Sequence, residues 1–147
     1  MMNTLFLCTG NSCRSQMAEG LTKQLVLPGV AFYSAGVVAK GLDPLAIEAM
    51  HELGIDISNQ TSNTLDDLGE IDFDLVITLC SHAHESCPVF PHNAEIIHHG
   101  FDDPPRLASD AESKAEKIVH YRLVRDQIKS FLSSPEFEAL ISQRVTS

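Results

Sequence analysis

The sequence predicts an α/β fold in one domain, with parallel strands joined by crossover helices. Three observations predict it. Apolar runs and amphipathic segments follow one another in the order strand, helix, strand, helix, strand, strand, helix. The run Leu75 to Leu79 (LVITL) is continuously apolar, as a strand covered on both faces would be. The chain has 147 residues, the usual size of one domain with a real core, and neither internal repeats nor low-complexity segments divide it.

Each element has a local reason. Asn3 to Leu7 (NTLFL) is a short apolar strand running straight into the loop CTGNSCRS. Ser15 to Val26 then carries Met17, Ala18, Leu21 and Leu25 at helical spacing, and Leu27-Pro28-Gly29 stops that helix. Ala31 to Ala35 (AFYSA) is a second strand, closed by Gly36. Asp43-Pro44 is a good N-cap and first-turn pair for a helix through Leu45, Ile47, Ala49, Met50 and Leu53, ending at Gly54. After LVITL, Ile96 and Ile97 mark a weak fourth strand. Ser113 to Leu132 is the longest helix, with Ile118, Tyr121, Val124, Ile128 and Phe131 on one face. These elements fill residues 1–132. Residues 133–147 form an extension, either a short helix begun at Ser134-Pro135 or a frayed tail.

Composition narrows the function classes. Hydrophobic residues make up 44% and charged residues 20%, an ordinary globular balance. No apolar run approaches the roughly 18 residues that cross a bilayer. The N-terminus, MMNTLFLCTG, lacks a basic leader and reads as a strand, so a cytoplasmic location is expected. A formal net charge of −10 disfavours nucleic acid as a partner. It also repels an anionic substrate, but screening over about 8 Å leaves a local nest of donors able to hold one.

Such a nest is predicted at the first strand's carboxyl end. Cys8 and Arg14 bound a Cys-X5-Arg loop set between a strand and a helix. There the amides of Gly10, Asn11, Ser12, Cys13, Arg14 and Ser15 and the helix N-terminus converge on one point. Gly10 is expected to allow the sharp turn. Arg14 supplies a planar fork of donors for two oxygens of a tetrahedral anion. The same donors favour a thiolate at Cys8, to which Ser12 or Ser15 would donate a hydroxyl hydrogen bond. Cys13, beside Arg14, reads as a packed thiol.

The motifs CTGNSCRSQMAEG, Ser34-Ala35-Gly36, GLDPLAIEAM and GIDIS resemble the low-molecular-weight protein tyrosine phosphatase superfamily, in particular its thioredoxin-coupled arsenate reductase branch. The resemblance covers about residues 3 to 130. It implies a four-stranded parallel sheet flanked by helices. It also assigns roles to the remaining cysteines. Cys80 would attack a Cys8–arsenic adduct, releasing arsenite and leaving a Cys8–Cys80 disulfide. Cys87 would then free Cys8 and pass a Cys80–Cys87 disulfide to thioredoxin. The reductant is left open between thioredoxin and a glutathione system, with Cys87 favouring thioredoxin. The superfamily's general acid precedes a proline, which selects Asp103 in GFDDPP and leaves Asp102 as a turn residue. Phosphatases of the superfamily usually carry an aromatic residue after that Asp-Pro. Pro105 stands there in this chain, which favours a small inorganic oxyanion over phosphotyrosine. Some members bind potassium through residues matching Asn11, Glu19, Ser34 and an aspartate that is Asn63 here, so any such site has lost a charge.

Two other readings compete. A low-molecular-weight phosphatase with incidental cysteines would use the same loop. A non-catalytic metal or arsenical binder would use His82, His84, Cys87, His92, His98 and His99, although their spacing fits no zinc-finger pattern.

Overall fold

In a computed structural model, which describes residues 1–85, 87, 90 and 94–145, the strands are β1 (Met2–Cys8), β2 (Val30–Gly36), β3 (Leu75–Thr78) and β4 (Glu95–His98). They form one sheet in the order β2-β1-β3-β4, and every neighbouring pair is parallel. Apart from half-buried Asn3 the central pair is buried, which is why LVITL and TLFLC are almost wholly apolar: Leu5, Phe6, Leu75, Val76 and Ile77 are all fully covered. Each such side chain contributes roughly 1.5–3 kcal/mol on burial. On β4, Ile96 and His98 are exposed while Glu95 and Ile97 are half-buried, the pattern of an edge strand.

Helix α1 (Arg14–Thr22) connects β1 to β2. It ends four residues before the expected Val26, because Lys23, Gln24 and Leu25 turn tightly onto the carbonyls of Gly20, Leu21 and Thr22. Helix α2 (Pro44–His51) starts at the predicted cap, where Asp43 accepts from the Leu45 amide at 3.0 Å. A one-turn helix α3 (Leu65–Leu68) is closed by a reciprocal Thr64/Asp67 capping box that the sequence reading missed. Two more short helices, α4 (Ser81–Glu85) and α5 (Pro104–Leu107), follow β3 and β4.

Helix α6 (Lys114–Leu132) buries the predicted face, with Ile118, Tyr121, Val124, Ile128 and Phe131 all covered. The extension forms α7 (Pro135–Val145), and Thr146 and Ser147 lie outside the described residues. Its Phe137 and Ile141 are buried, Phe137 against Phe32 and Phe131. Among the described residues no helix is long and apolar enough to cross a membrane.

The strand order sets the site. The chain leaves β1 for β2 on one side and returns to β3 on the other. The sheet therefore has a topological switch point between β1 and β3, at their carboxyl ends. Cys8 is the last residue of β1, and Cys80 lies two residues past the end of β3.

Candidate active site

The loop after β1 is held by side chains as much as by backbone. Asn11 is its one strained residue, with φ of 47°. Asparagine tolerates this left-handed conformation better than most residues. Gly10, expected to take the unusual turn, does not have positive φ. Its bare Cα instead leaves room for the stem of Lys40, whose Cδ would lie 2.8 Å from an added Cβ. Gly36, opposite Cys8 in the β1–β2 register, is the tighter requirement. A Cβ there would sit 2.3 Å from the Val38 carbonyl and 2.6 Å from the Asn11 amide nitrogen, both backbone atoms.

The Asn11 carboxamide is wired on both sides. Its Oδ1 accepts from the Asn63 amide at 2.6 Å and from Gln16 Nε2 at 3.1 Å. That fixes its Nδ2 as the donor to Ser15 Oγ at 2.8 Å. The Ser15 hydroxyl hydrogen is then free to point at Cys8 Sγ, also 2.8 Å away. Ser15, not Ser12, is the residue that meets the sulfur; the Ser12 carbonyl accepts from the Asp43 amide. Gln16 also bonds the Asn11 carbonyl, and Gln60 holds Gln16 through its side-chain and main-chain oxygens. Meanwhile the amides of Gly10, Asn11, Ser12 and Cys13 donate to no protein acceptor among the described residues, which leaves them for an anion.

Arg14 is 9% exposed and reaches across the site. Its Nη1 donates to the Phe101 carbonyl at 3.1 Å, and its Nη2 lies 3.7 Å from Asp103 Oδ1. Asp103 occupies the cap position of α5, yet its carboxylate makes no capping hydrogen bond. It is therefore not consumed by the helix and remains available beside the arginine. Pro104 at the first helical position is compatible with this turn. Asp102 is exposed next to it.

Cys80 stands on the other wall. Its sulfur accepts from the Ala83 amide at 3.3 Å, as an N-cap of α4, and lies 3.1 Å from Thr9 Oγ1. Thr9, Arg14, Cys80, His82 and Asp103 line one open pocket of about 940 Å³. Cys87 is half-buried beyond α4, and its amide donates to the His84 carbonyl at 3.3 Å. All four cysteines are free. Burial pushes the Cys13 thiol well above its usual range; Asp43, Cys8 and Asp103 add to that, and Arg14 opposes it. Burial also pushes up the Cys87 thiol. Cys13 is thus the packed thiol expected.

The four residues matched to a potassium site divide. Ser34 Oγ donates to Glu19 Oε1 at 2.8 Å, and burial pushes the Glu19 carboxyl up. Asn11 is committed to Ser15 and Asn63 as described. The Asn63 carboxamide turns onto Thr61, donating to its carbonyl and hydroxyl at 3.0 and 2.9 Å. Among the described residues no group of three His, Cys, Asp or Glu is placed to hold a metal. His84 and His98 share the Thr78 hydroxyl through their Nδ1 atoms, at 3.1 and 2.9 Å. His99 stacks between Phe101 and Phe131. His92 lies outside the described residues.

The sequence reading missed Thr9, Gln16 and Gln60. Thr9 directly follows Cys8, a signal present in the sequence itself. The glutamines give none, since a buried amide on a helix is indistinguishable from a surface one in a single sequence.

A family model for low molecular weight phosphotyrosine protein phosphatases matches residues 3–133. An arsenate reductase of Halalkalibacterium halodurans is 52% identical over 123 residues, 84% of this chain and 86% of that protein. An arsenate reductase of Bacillus subtilis is 51% identical over 123 residues, with the same shares of 84% and 86%. A solved structure of an arsenate reductase in its oxidized state has a TM-score of 0.73, with 34% identity over 97% of this chain and 98% of that one. By its sequence from residue 3 to residue 133, and by the loop that places Cys8 at the end of β1, this chain belongs to the low molecular weight phosphotyrosine protein phosphatase family.

Proposed function

We propose that this chain is an arsenate reductase that carries electrons through three of its own thiols and is recharged by thioredoxin. The observation that carries the reading is a second thiol at the nucleophile's site. Cys80 shares the pocket of Arg14 and Asp103 and touches Thr9, the residue after Cys8. A phosphatase has no use for a thiol there; a reductase needs one.

The steps balance as follows. The Cys8 sulfur attacks arsenic(V), and an arsenate oxygen leaves as water with a proton from Asp103. Arg14 and the loop amides hold the remaining oxygens. Cys80 attacks the Cys8 sulfur, a sulfur–sulfur bond forms, and the sulfur–arsenic bond breaks with its electron pair going to arsenic. Arsenite leaves. Cys87 then attacks the Cys80 sulfur and expels Cys8 as thiolate. The two electrons gained by arsenic have come from two thiols, and a thioredoxin dithiol restores them.

The last step requires movement. A fully helical path from Cys80 to Cys87 would span about 10.5 Å at 1.5 Å per residue, against the roughly 7 Å that a disulfide's Cα atoms tolerate, and α4 takes up Ser81–Glu85 of that path. Helix α4 lies between the two cysteines, and its unwinding would let them meet; its short length of five residues makes that feasible. Ser86 and Pro88, which fall in the same stretch, lie outside the described residues.

Potassium has a minor place in this reading. Glu19 is the one carboxylate of the four matched residues and already accepts from Ser34, while Asn63 is engaged with Thr61. That donor set supports weak binding, and no step depends on it.

Trapping tests the order. Reduced protein is given arsenate, quenched with acid, alkylated and mapped by mass spectrometry. The reading expects a Cys80–Cys87 disulfide with Cys8 free, and a Cys8–Cys80 disulfide in Cys87→Ser. All cysteines alkylated after arsenate would overturn it and leave a phosphatase, the activity the same loop supports on small aryl phosphates.

A further inference from the structure

The chain's net charge of −10 opposes the entry of any oxyanion, and the pocket itself does little to help. Arg14 is spent in part on Asp103, 3.7 Å away, and Asp102 lines the same pocket. Those two carboxyl groups leave the entrance with little net positive charge of its own. One further cation lines that pocket, Arg106 on α5. A second lies against the loop itself. The Lys40 amide donates to the Gly10 carbonyl at 2.9 Å, and its stem lies across Gly10. Val37 and Val38 are stitched in the same way to the carbonyls of Cys8 and Thr9, at 3.1 and 3.0 Å. The backbone that carries Lys40 is thus fixed to the oxyanion loop.

Both side chains are exposed, and neither forms an ion pair among the described residues. By contrast Arg122, Arg125 and Lys114 are all paired, with Glu52, with Glu52 and Asp126, and with Glu48. An unpaired cation whose backbone is anchored beside an anion site acts on the incoming anion at short range, where salt screens it least.

We propose that Lys40 and Arg106 are substrate-capture residues: two cations with no ion-pair partner among the described residues, one against the oxyanion loop and one in the pocket, that draw a small multiply charged oxyanion past the chain's negative field. The inference rests on the oxyanion chemistry proposed above. It assigns these residues to capture, not to any bond-making step. They should therefore alter KM and leave kcat alone.

The test compares Lys40→Gln, Arg106→Gln, the double variant and Lys40→Arg with Lys129→Gln. The last removes the same unit of charge at a place lined by Leu21, Leu25 and Leu132, away from the loop. Two readouts are taken: kcat and KM for arsenate, and the inorganic phosphate concentration that half-protects Cys8 from iodoacetamide. The second needs no turnover, so it stands even where arsenate reduction is absent. Each neutralisation is expected to raise KM and the half-protecting concentration roughly three- to fivefold at low salt, the effect of one charge a few ångströms away in water. The effect should shrink at high salt, Lys40→Arg should restore it, and kcat should hold. A shift equal to that of Lys129→Gln would reduce the effect to net charge and overturn the proposal. So would unchanged protection in the double variant, or a fall in kcat with KM constant.

Discussion

The hydroxyl of Thr9 lies 3.1 Å from the sulfur of Cys80, although the two residues are 71 positions apart. Thr9 leaves β1 directly after Cys8, and Cys80 follows β3, so the contact spans the switch point of the sheet. It ties the second thiol to the loop that holds the first. A hydroxyl hydrogen bond to sulfur strengthens when the sulfur is anionic. In the proposed relay the contact thus bears on attack by Cys80, not on formation of the Cys8 adduct.

Thr9→Val should accordingly slow arsenite release by about tenfold, the loss of one hydrogen bond to a charged group. Hydrolysis of p-nitrophenyl phosphate, which needs no thiol besides Cys8, should hold to within about twofold. Single-turnover kinetics of both reactions check this. A parallel loss in both would mean that Thr9 shapes the loop instead.

Ser15→Ala removes the donor to Cys8 Sγ and strands Asn11 Nδ2 in a buried site. About 1.5–3 kcal/mol of thiolate stabilisation should go with it, lowering both arsenate and aryl phosphate turnover by roughly 10- to 100-fold. The folded state should survive, since Asn11 Oδ1 keeps its bonds to Asn63 and Gln16. Steady-state turnover of arsenate and of p-nitrophenyl phosphate by the variant reads the change directly: both should fall together.

Cys13 should be the last thiol to react with iodoacetamide. Burial and the neighbouring Asp43, Cys8 and Asp103 raise its pKa, so the neutral thiol persists at pH 7 and a reactive thiolate appears only as pH climbs toward the raised value. Time-resolved mass spectrometry on native protein should find Cys8 modified while Cys13 is intact. Early labelling of Cys13 would contradict the burial seen here.

The proposed unwinding of α4 has a signature in amide exchange. In the reduced state the amides of Ala83, His84 and Cys87 are bonded to Cys80 Sγ, the Cys80 carbonyl and the His84 carbonyl. Forming the Cys80–Cys87 disulfide should break these bonds and speed exchange at all three positions by at least an order of magnitude. Equal exchange in the two redox states would remove the movement from the account.

Much of this was legible in the sequence for a physical reason. Parallel strands buried on both faces have to be continuously apolar, so TLFLC and LVITL declare themselves. Cys8, Arg14 and Ser15 are local to one loop, and local spacing survives in one dimension. The α6 face follows from helical periodicity alone. What was hidden depends on distance across the fold. Thr9 with Cys80, Gln60 with Gln16 and Asn63 with Asn11 are partners only because β1 and the segments after β2 and β3 meet at one edge of the sheet. Gly10 and Asn11 show the limit from the other side. The glycine invited the strained turn by residue type, but asparagine adopts it because three hydrogen bonds hold its carboxamide in place. The one-turn helices α3 and α5 escaped because four residues give no period to read.

The central claim is that two thiols besides Cys8 carry electrons. It is tested most directly by arsenate-dependent NADPH consumption with thioredoxin and thioredoxin reductase, comparing the native chain with Cys80→Ser and Cys87→Ser. The account predicts turnover in the native chain, its loss in both variants, and aryl phosphatase activity retained in each. Arsenate turnover that survives either substitution, or is absent from the native chain while phosphatase activity is intact, would contradict it.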